Sequence, residues 1–192
     1  MGFSGGAASI GSVAIENSSD DSAKQRCAFE AAYRRHAAAV YRVALLRTSN
    51  PAVAEDVAAE TWAAALRAFA GAPGADAALR SWLMRIAANK AADHGRRAAR
   101  RLRLERVLGR QRDHTEGVVE AAERREELRE VLEALARAPE RERTLVALRI
   151  GGELSFEEVA AVTGMSAGAA QMATARALQQ LRRRIAETRG DG

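Results

Sequence analysis

Cysteine and histidine are scarce in this chain of 192 residues. Cys27 is the only cysteine and the three histidines are scattered, so neither an intrachain disulfide nor the ligand spacing of a zinc site is present. We expect a cytoplasmic protein that uses no metal or other cofactor. The sequence also lacks a run of 18 apolar residues and the pattern of a secretion signal, so it predicts no membrane insertion.

Aromatic residues are also few. They make up 4% of the chain, whereas 47% of its residues are hydrophobic. Apolar volume that comes mainly from alanine, valine and leucine suits closely packed helices better than sheets, in which β-branched and aromatic residues are enriched. Because the length fits one ordinary domain or two small ones, we predict an all-α protein of two small helical domains joined by a linker.

Lysine is nearly absent, and arginine takes its place. The 30 basic residues outnumber 25 acidic ones, and all of the basic residues except Lys24 and Lys90 are arginine. Residues 85–112 alone contain ten basic and two acidic residues. Because the guanidinium group matches the geometry of phosphate, this concentration favours a nucleic-acid partner. A solvated, arginine-rich helix surface is the alternative.

Turn and capping residues divide the chain into segments. Asn50 and Pro51 combine a cap residue with proline at the first position of a helix, and the glycines and proline of Gly71–Ala77 indicate a loop before the next helix. The opening segment is rich in glycine and serine, which is typical of a flexible tail. The predicted segments are a tail at 1–22, a three-helix domain at 23–106, a linker at 107–122 and a second domain at 123–189.

The sharpest local pattern lies in the second domain. Ser155 and Glu158 form a capping box that starts a short helix, Gly164 ends that helix, and Ser166 caps the last one. Two helices joined by a glycine-containing turn predict a helix-turn-helix, whose second helix enters the major groove of DNA. A helical hairpin inside a bundle is the alternative. The candidate DNA-contacting residues here are Ser166, Gln171, Thr174 and Arg176.

A second candidate DNA-binding face lies on the predicted third helix. Its basic and polar side chains recur over several turns, as contacts with a row of phosphates require. The candidates are Arg80, Arg85, Asn89, Lys90, Arg96, Arg97 and Arg100.

Three carboxylates, Glu55, Asp56 and Glu60, lie on the predicted second helix. Glu55 and Asp56 lie near the positive N-terminal end of that helix, where negative charges interact favourably with the helix dipole, and this structural role is sufficient to explain them. The functional alternative is an acidic face for a basic protein partner. The sequence contains neither a glycine-rich phosphate loop nor a nucleophile beside a base, so we expect no enzymatic activity.

In this order, the segments resemble an alternative sigma factor of the extracytoplasmic-function (ECF) class, the two-domain minimal form of bacterial sigma factors. The resemblance covers about Phe29–Ile185. The segment LRSWLMRIAANKAADHGRRAARR is similar to the family signature WL-x-x-IA-x-N-x-x-x-D-x-x-R-R. The other matching segments are FEAAYRRHAAAVYRVAL, AEDVAAETW, LEALARAPERERTLVALRI and GGELSFEEVAAVTGMSAGAA.

The resemblance implies a protein that directs core RNA polymerase to promoters. The first domain, similar to sigma region 2, would bind the β′ clamp through Asn50–Phe69, with the three carboxylates as contacts. It would read the −10 element of promoter DNA through the Gly71–Ala77 loop and the basic helix from Arg80. The second domain, similar to sigma region 4, would bind the β flap and the −35 element. In such proteins an anti-sigma factor often blocks both domains.

Two segments depart from the family pattern. Ala58 and Ala59 stand where Val-Gln is usual, and residues 168–177 read GAAQMATARA where G-T-V-K-S-R-L-x-R-A is usual. The loss of a lysine and an arginine predicts weaker −35 binding. It also motivates an alternative, a sigma-like DNA-binding transcription regulator that does not initiate transcription independently. A structural interaction protein without DNA binding is a third reading.

Overall fold

The computed structural model of the protein describes residues 10–108 and 122–190. Within these ranges it contains α-helices and no strand, which confirms the all-α prediction. Short 3₁₀ and π turns, Phe69–Gly71 and Ala147–Gly151, extend the second and fifth helices. The helices are α1 (Ile10–Thr48), α2 (Pro51–Ala68), α3 (Asp76–Leu108), α4 (Ala122–Ala136), α5 (Glu140–Val146), α6 (Phe156–Thr163) and α7 (Ala167–Gly190).

Helix α1 begins at Ile10, within the segment predicted as a flexible tail through residue 22. No proline interrupts the helix. Once a helix is nucleated by its packed part, each further residue adds a hydrogen bond without a new nucleation cost, so the backbone continues in helical geometry toward the N-terminus. Residues 1–9 and most of the predicted linker, 109–121, lie outside the described residues.

The first three helices pack against each other, and α2 begins where the cap signals predict. The Asn50 side chain accepts a hydrogen bond from the Val53 N–H at 3.1 Å, and Pro51 occupies the first turn of α2. Phe29 of α1 meets Trp62 of α2 edge to face, with ring centroids 5.8 Å apart. Aromatic pairs in this geometry add stability beyond their buried area.

The predicted helix-turn-helix is present in the second domain. The Ser155 hydroxyl accepts the Glu158 N–H, and the Glu158 carboxylate accepts the Ser155 N–H at 2.7 Å, which completes the capping box. Gly164 ends α6 with φ of 73°, a left-handed conformation that glycine adopts without strain. The Ser166 hydroxyl then accepts the Ala169 N–H at the start of α7.

The two domains pack directly on each other. Buried side chains of α1 and α3, Val43 and Met84 among them, share one apolar cluster with Leu148 and Leu154 of the second domain. At Gly151 a Cβ atom would lie 3.0 Å from the Val43 backbone nitrogen. The lack of a side chain at this position therefore sets how closely the π turn approaches α1.

Among residues 10–108 and 122–190, none of the helices is both long enough and apolar enough to cross a bilayer.

Candidate nucleic-acid interface

The C-terminal half of α3 presents a basic face to solvent. The side chains of Arg96 and Arg97 are 59% and 61% exposed, and Arg100 is exposed on the next turn. Asp93 accepts a hydrogen bond from Arg96, which holds the pKa of that carboxyl below its usual value. Since neighbouring carboxylates satisfy few of the guanidinium donors, this face can bind a row of phosphates.

Asn89 and Lys90, predicted on the same DNA-binding face, are placed differently from each other. Asn89 is exposed beside a cleft that also contains Arg141 and Thr163 of the second domain. Lys90 is half-buried and points toward α2, where its Nζ lies 3.5 Å from Glu60. In the described conformation Lys90 is therefore less available to DNA than Arg96 and Arg97.

Arg80 and Arg85, at the N-terminal half of α3, contact the second domain. The Arg80 guanidinium donates to both carboxylate oxygens of Glu158, at 3.0 and 3.1 Å. Arg85 donates to the carbonyl oxygen of Ala161 at 3.2 Å. These two residues, predicted as DNA contacts, are engaged within the chain in this conformation.

The three predicted polymerase-binding carboxylates differ in their contacts within the described chain. Glu55 and Asp56 are exposed, whereas Glu60 points toward α3. His94 Nε2 lies 2.9 Å from the Glu60 carboxylate, and this hydrogen bond holds the pKa of Glu60 below its usual value. In the described conformation Glu60 is thus paired with basic side chains of α3, while its side chain keeps 36% of its surface exposed.

The start of α7 presents Gln171 and Arg176 to solvent. The Nε of Arg176 donates to the carbonyl oxygen of Met172 at 3.3 Å, which leaves the outer guanidinium nitrogens for other contacts. Ser166 is exposed, although its hydroxyl caps the helix. These three residues lie where the second helix of a helix-turn-helix can approach DNA.

Thr174 was predicted as a DNA contact, and this is wrong for the described conformation. The residue is 1% exposed and lies on the inward face of α7. Ala170, Ala177 and Leu181 are buried on the same face, at the helical spacings of four, three and seven residues from Thr174. The spacing in the sequence contained this signal.

The loop before α3 lies over a groove against α1. A cavity of about 400 Å³ is lined by Ala32, Phe69, Pro73 and Leu79, among others. At its edge, Arg35 donates to Asp76 at 2.8 Å, and this bond lowers the pKa of the Asp76 carboxyl. The loop that was predicted to read the −10 element is thus fixed at its C-terminal end to α1.

Several polar residues at the contact between the domains were not predicted. Ser81 donates to Glu158 at 3.2 Å, and Arg42 donates to Glu153 at 2.6 Å. Arg47 is buried, and its guanidinium donates to the side chain of Glu140 at 3.1 Å. Burial lowers the pKa of Arg47, although the Glu140 hydrogen bond opposes this effect. No local pattern reveals such pairs, because the partners are about 80 to 110 residues apart.

Comparison with known families accounts for both halves of the described chain. Residues 32–101 match the family model for sigma-70 region 2, and residues 134–183 match that for sigma-70 region 4. The chain is also 32% identical over 161 residues to the ECF RNA polymerase sigma factor BldN of Streptomyces coelicolor. The chain belongs to the ECF class of sigma factors. The alignment covers 81% of this ECF sigma factor and 60% of BldN, so the chain matches somewhat less than two thirds of that relative's length.

Solved structures share the fold of this ECF sigma factor. The sigma factor RpoE in complex with the anti-sigma factor NepR, from Bartonella quintana, superimposes with a TM-score of 0.68 at 20% identity, over 82% of this chain and 96% of that one. CnrH, in complex with the cytosolic domain of CnrY, gives a TM-score of 0.59 at 27% identity, over 87% of this chain and 91% of that one.

Proposed function

We propose that this ECF sigma factor binds core RNA polymerase and directs it to a small set of promoters. The observation that carries the proposal is the order of the two matched regions, 32–101 and 134–183, each of which contains an exposed face suited to DNA. The first region supplies the basic face of α3, and the second supplies the capped helix-turn-helix.

In this proposal the −10 element binds the first domain. Arg96, Arg97 and Arg100 would contact phosphates, and Asn89 would lie near the bases, while Arg80, Arg85 and Lys90 would join them once released from their partners within the chain. The concentration of arginine on one helix supports this assignment, because each phosphate contact releases counterions from DNA.

The −35 element would bind the start of α7. Gln171 is the side chain there that can pair with a base edge through both a donor and an acceptor, and Arg176 and Ser166 would contact the backbone. The neighbouring alanines have no such groups. We therefore propose that this domain positions the protein on DNA more than it selects sequence.

The polymerase contacts would lie on α2 and on the second domain. Glu55 and Asp56 are exposed on the first two turns of α2, where they can meet a basic surface of the β′ clamp. The β flap would bind the second domain. A partner anti-sigma factor would compete for these surfaces, and the protein would act in the cytoplasm as a non-enzymatic subunit, since the polymerase carries the active site.

The test is transcription with purified components. Core polymerase would be supplied with genomic DNA fragments and nucleotides, with and without the purified chain. We expect discrete transcripts that start at a few sites when the chain is present. Binding to DNA without new transcripts would support a regulator that does not initiate transcription, and the absence of both activities would overturn the proposal.

A further inference from the structure

The loop predicted to read the −10 element, residues 72–75 in the structure, lies between the 3₁₀ turn and α3. At its start, the Ala72 N–H donates to the carbonyl oxygen of Phe69. Space is open around its glycines, since a Cβ atom built at Gly71 or Gly74 would meet no atom within 4 Å beyond the adjacent residues. Because glycine allows a wide range of backbone conformations, the conformation of this loop depends on how its C-terminal end is held.

Two residues of α1 contact the carboxylate of Asp76, the residue that follows the loop and starts α3. Arg35 Nη1 donates to Asp76 Oδ1 at 2.8 Å, and His36 Nε2 lies 3.2 Å from the same oxygen. A carboxylate in the first turn of a helix also interacts favourably with the helix dipole. Asp76 thus connects the end of the loop to α1.

The His36 side chain differs from its neighbours because it is buried. Only 5% of its surface is exposed, and among the described residues its Nε2 has no hydrogen bond of good geometry, although Asp76 is close. Burial of a polar atom without a partner is unfavourable, and an apolar side chain at this position of α1 would avoid that cost. An imidazole here is therefore better explained by the nearby carboxylate than by packing of the core.

Asp76 also forms part of the groove beneath the loop. Arg35 and Asp76 line this cavity of about 400 Å³ together with Phe69 and with Pro73 of the loop. Displacement of Asp76 from Arg35 would move the start of α3 and change the shape of the groove. Groups that bind a ligand specifically must be held within about 0.5 Å of their productive positions, so the contacts of Asp76 bear directly on recognition.

We propose that Arg35 and His36 are positioning residues for −10 recognition, which hold Asp76 and thereby keep the preceding loop in the conformation that reads DNA. This inference rests on the proposed function. A loop that is already ordered loses less conformational freedom when it binds. Because an ion pair between exposed side chains contributes little to stability, loss of Arg35 should impair recognition while the fold is retained.

Arg35→Ala tests this role in the full chain, with Arg34→Ala as the matched control. Arg34 pairs with Glu30 on α1, so the control removes the same charge without touching Asp76. With holoenzyme and a promoter that it transcribes, the preference for the native −10 element over single-base variants should fall about fivefold in Arg35→Ala and stay unchanged in the control. Arg35→Lys should restore most of the preference.

The salt dependence of DNA binding separates positioning from direct contact. A positioning residue neutralises no phosphate, so the slope of log K against log salt should be the same in Arg35→Ala and Arg34→Ala. A slope that falls in Arg35→Ala alone would show that Arg35 contacts DNA itself and would overturn the inference. An equal loss of −10 preference in both variants would overturn it as well.

His36→Leu separates positioning from stability. Leucine replaces the imidazole without a buried polar atom, so the melting temperature should equal or exceed that of the wild type, whereas the −10 preference should fall. His36→Gln keeps an N–H donor and should retain more of the preference. A lower melting temperature with an unchanged preference would mean that His36 is structural only.

Hydrogen exchange of the free chain tests the same contact without DNA or polymerase. The amides of Gly74 and Ala75 should exchange faster in Arg35→Ala than in Arg34→Ala or the wild type, because the end of the loop is released. Equal exchange in all three chains would overturn the inference even if the chain directs transcription. Failure of the wild-type holoenzyme to transcribe would count against the proposed function, which this measurement does not require.

Discussion

His94 Nε2 of α3 lies 2.9 Å from a carboxylate oxygen of Glu60 on α2. Lys90 and Arg97 approach the same carboxylate at 3.5 and 3.6 Å, so one acid lies among three nitrogen-bearing side chains of the basic helix. The carboxylate reduces the repulsion among these side chains and ties α2 to α3. Glu60 therefore has a structural role that the spacing of the acids in the sequence does not indicate.

Replacement of Glu60 should affect stability first. Glu60→Gln removes the charge at nearly constant shape, and because the pair is partly exposed we expect a loss of about 0.5 kcal/mol. That corresponds to a decrease of roughly 1–2 °C in the melting temperature. Glu60→Arg should cost more, because a further cation would join Lys90 and Arg97. Thermal unfolding followed by circular dichroism measures both changes, and equal melting temperatures for the wild type and Glu60→Arg would contradict this role.

Replacement of Asp56 should affect polymerase binding and not stability. Asp56 is exposed on α2, so Asp56→Arg should leave stability within about 0.5 kcal/mol of the wild type. If α2 faces a basic surface of the polymerase, the same change should weaken binding to core enzyme by about tenfold, or 1.4 kcal/mol. Surface plasmon resonance with immobilised core enzyme would measure this. Undiminished binding would remove Asp56 from the polymerase contact.

The basic face of α3 should contribute to the salt dependence of DNA binding. Replacement of both Arg96 and Arg97 by alanine removes two phosphate contacts, so the slope of log K against log salt should decrease in magnitude by about two. The matched control is Arg34→Ala with Arg129→Ala, which removes the same charge from exposed ion pairs on α1 and α4. A slope that changes equally in both double variants would mean that net charge alone is responsible.

The second domain should discriminate poorly among −35 sequences. A strong bidentate contact with a base discriminates by about 1–3 kcal/mol, and Gln171 is the one candidate exposed at the start of α7. Scrambling of the −35 element, with the −10 element intact, should change holoenzyme affinity by less than about tenfold. A preference well above tenfold would show that other residues read this element.

The structure indicates which positions of α7 can accept an additional cationic side chain. The family pattern has an arginine at the position of Ala173, but this side chain packs against the apolar cluster and an arginine there would disturb it. Met172 is 59% exposed. Gln171→Lys with Met172→Arg should therefore strengthen DNA binding at low salt by the release of about two further counterions, and should do so on scrambled DNA as well.

Low pH should weaken the hydrogen bonds from Arg80 and Ser81 to the Glu158 carboxylate. Burial raises the pKa of this carboxyl, but the hydrogen bonds from the Ser155 N–H, Arg80 and Ser81 outweigh it, so the pKa lies below its usual value of 4.5. The carboxylate therefore contributes stability that is fully present above pH 4.5 and is lost as the pH falls through the lowered value. Glu158→Gln, which can still accept the Ser155 N–H, should be less stable than the wild type at pH 7 and nearly equal to it at low pH.

The local features of the fold could be predicted from the sequence, and the contact between the domains could not. The caps at Asn50, Ser155 and Ser166 depend on residues within three positions of each other, so the sequence displays them directly. Glu158 was recognised as part of a capping box, but its second partner, Arg80, is 78 residues away. Nothing in the helical period of either segment indicates that these two faces meet.

The burial of Thr174, in contrast, is indicated by the sequence. The helical spacing of the apolar residues around it predicts an inward side chain, whereas its place in the recognition helix predicts a DNA contact. A residue in the second turn of a recognition helix is a natural DNA contact, yet the apolar residues at 170, 177 and 181 already mark its side of the helix as inward. For this residue the helical period of the apolar side chains predicts burial correctly, and its position in the helix-turn-helix does not.

The π turn at Ala147–Gly151 determines which side of the chain faces α1. Such a turn contains an extra residue relative to the α-helix that precedes it, and one residue rotates all that follow by about 100°. Deletion of a single residue there would restore an ordinary helix, turn Gly151 away from the backbone of Arg42 and Val43, and shift Glu153 out of register with its arginine. The orientation of the whole helix-turn-helix relative to the first domain thus depends on one residue of helical phase.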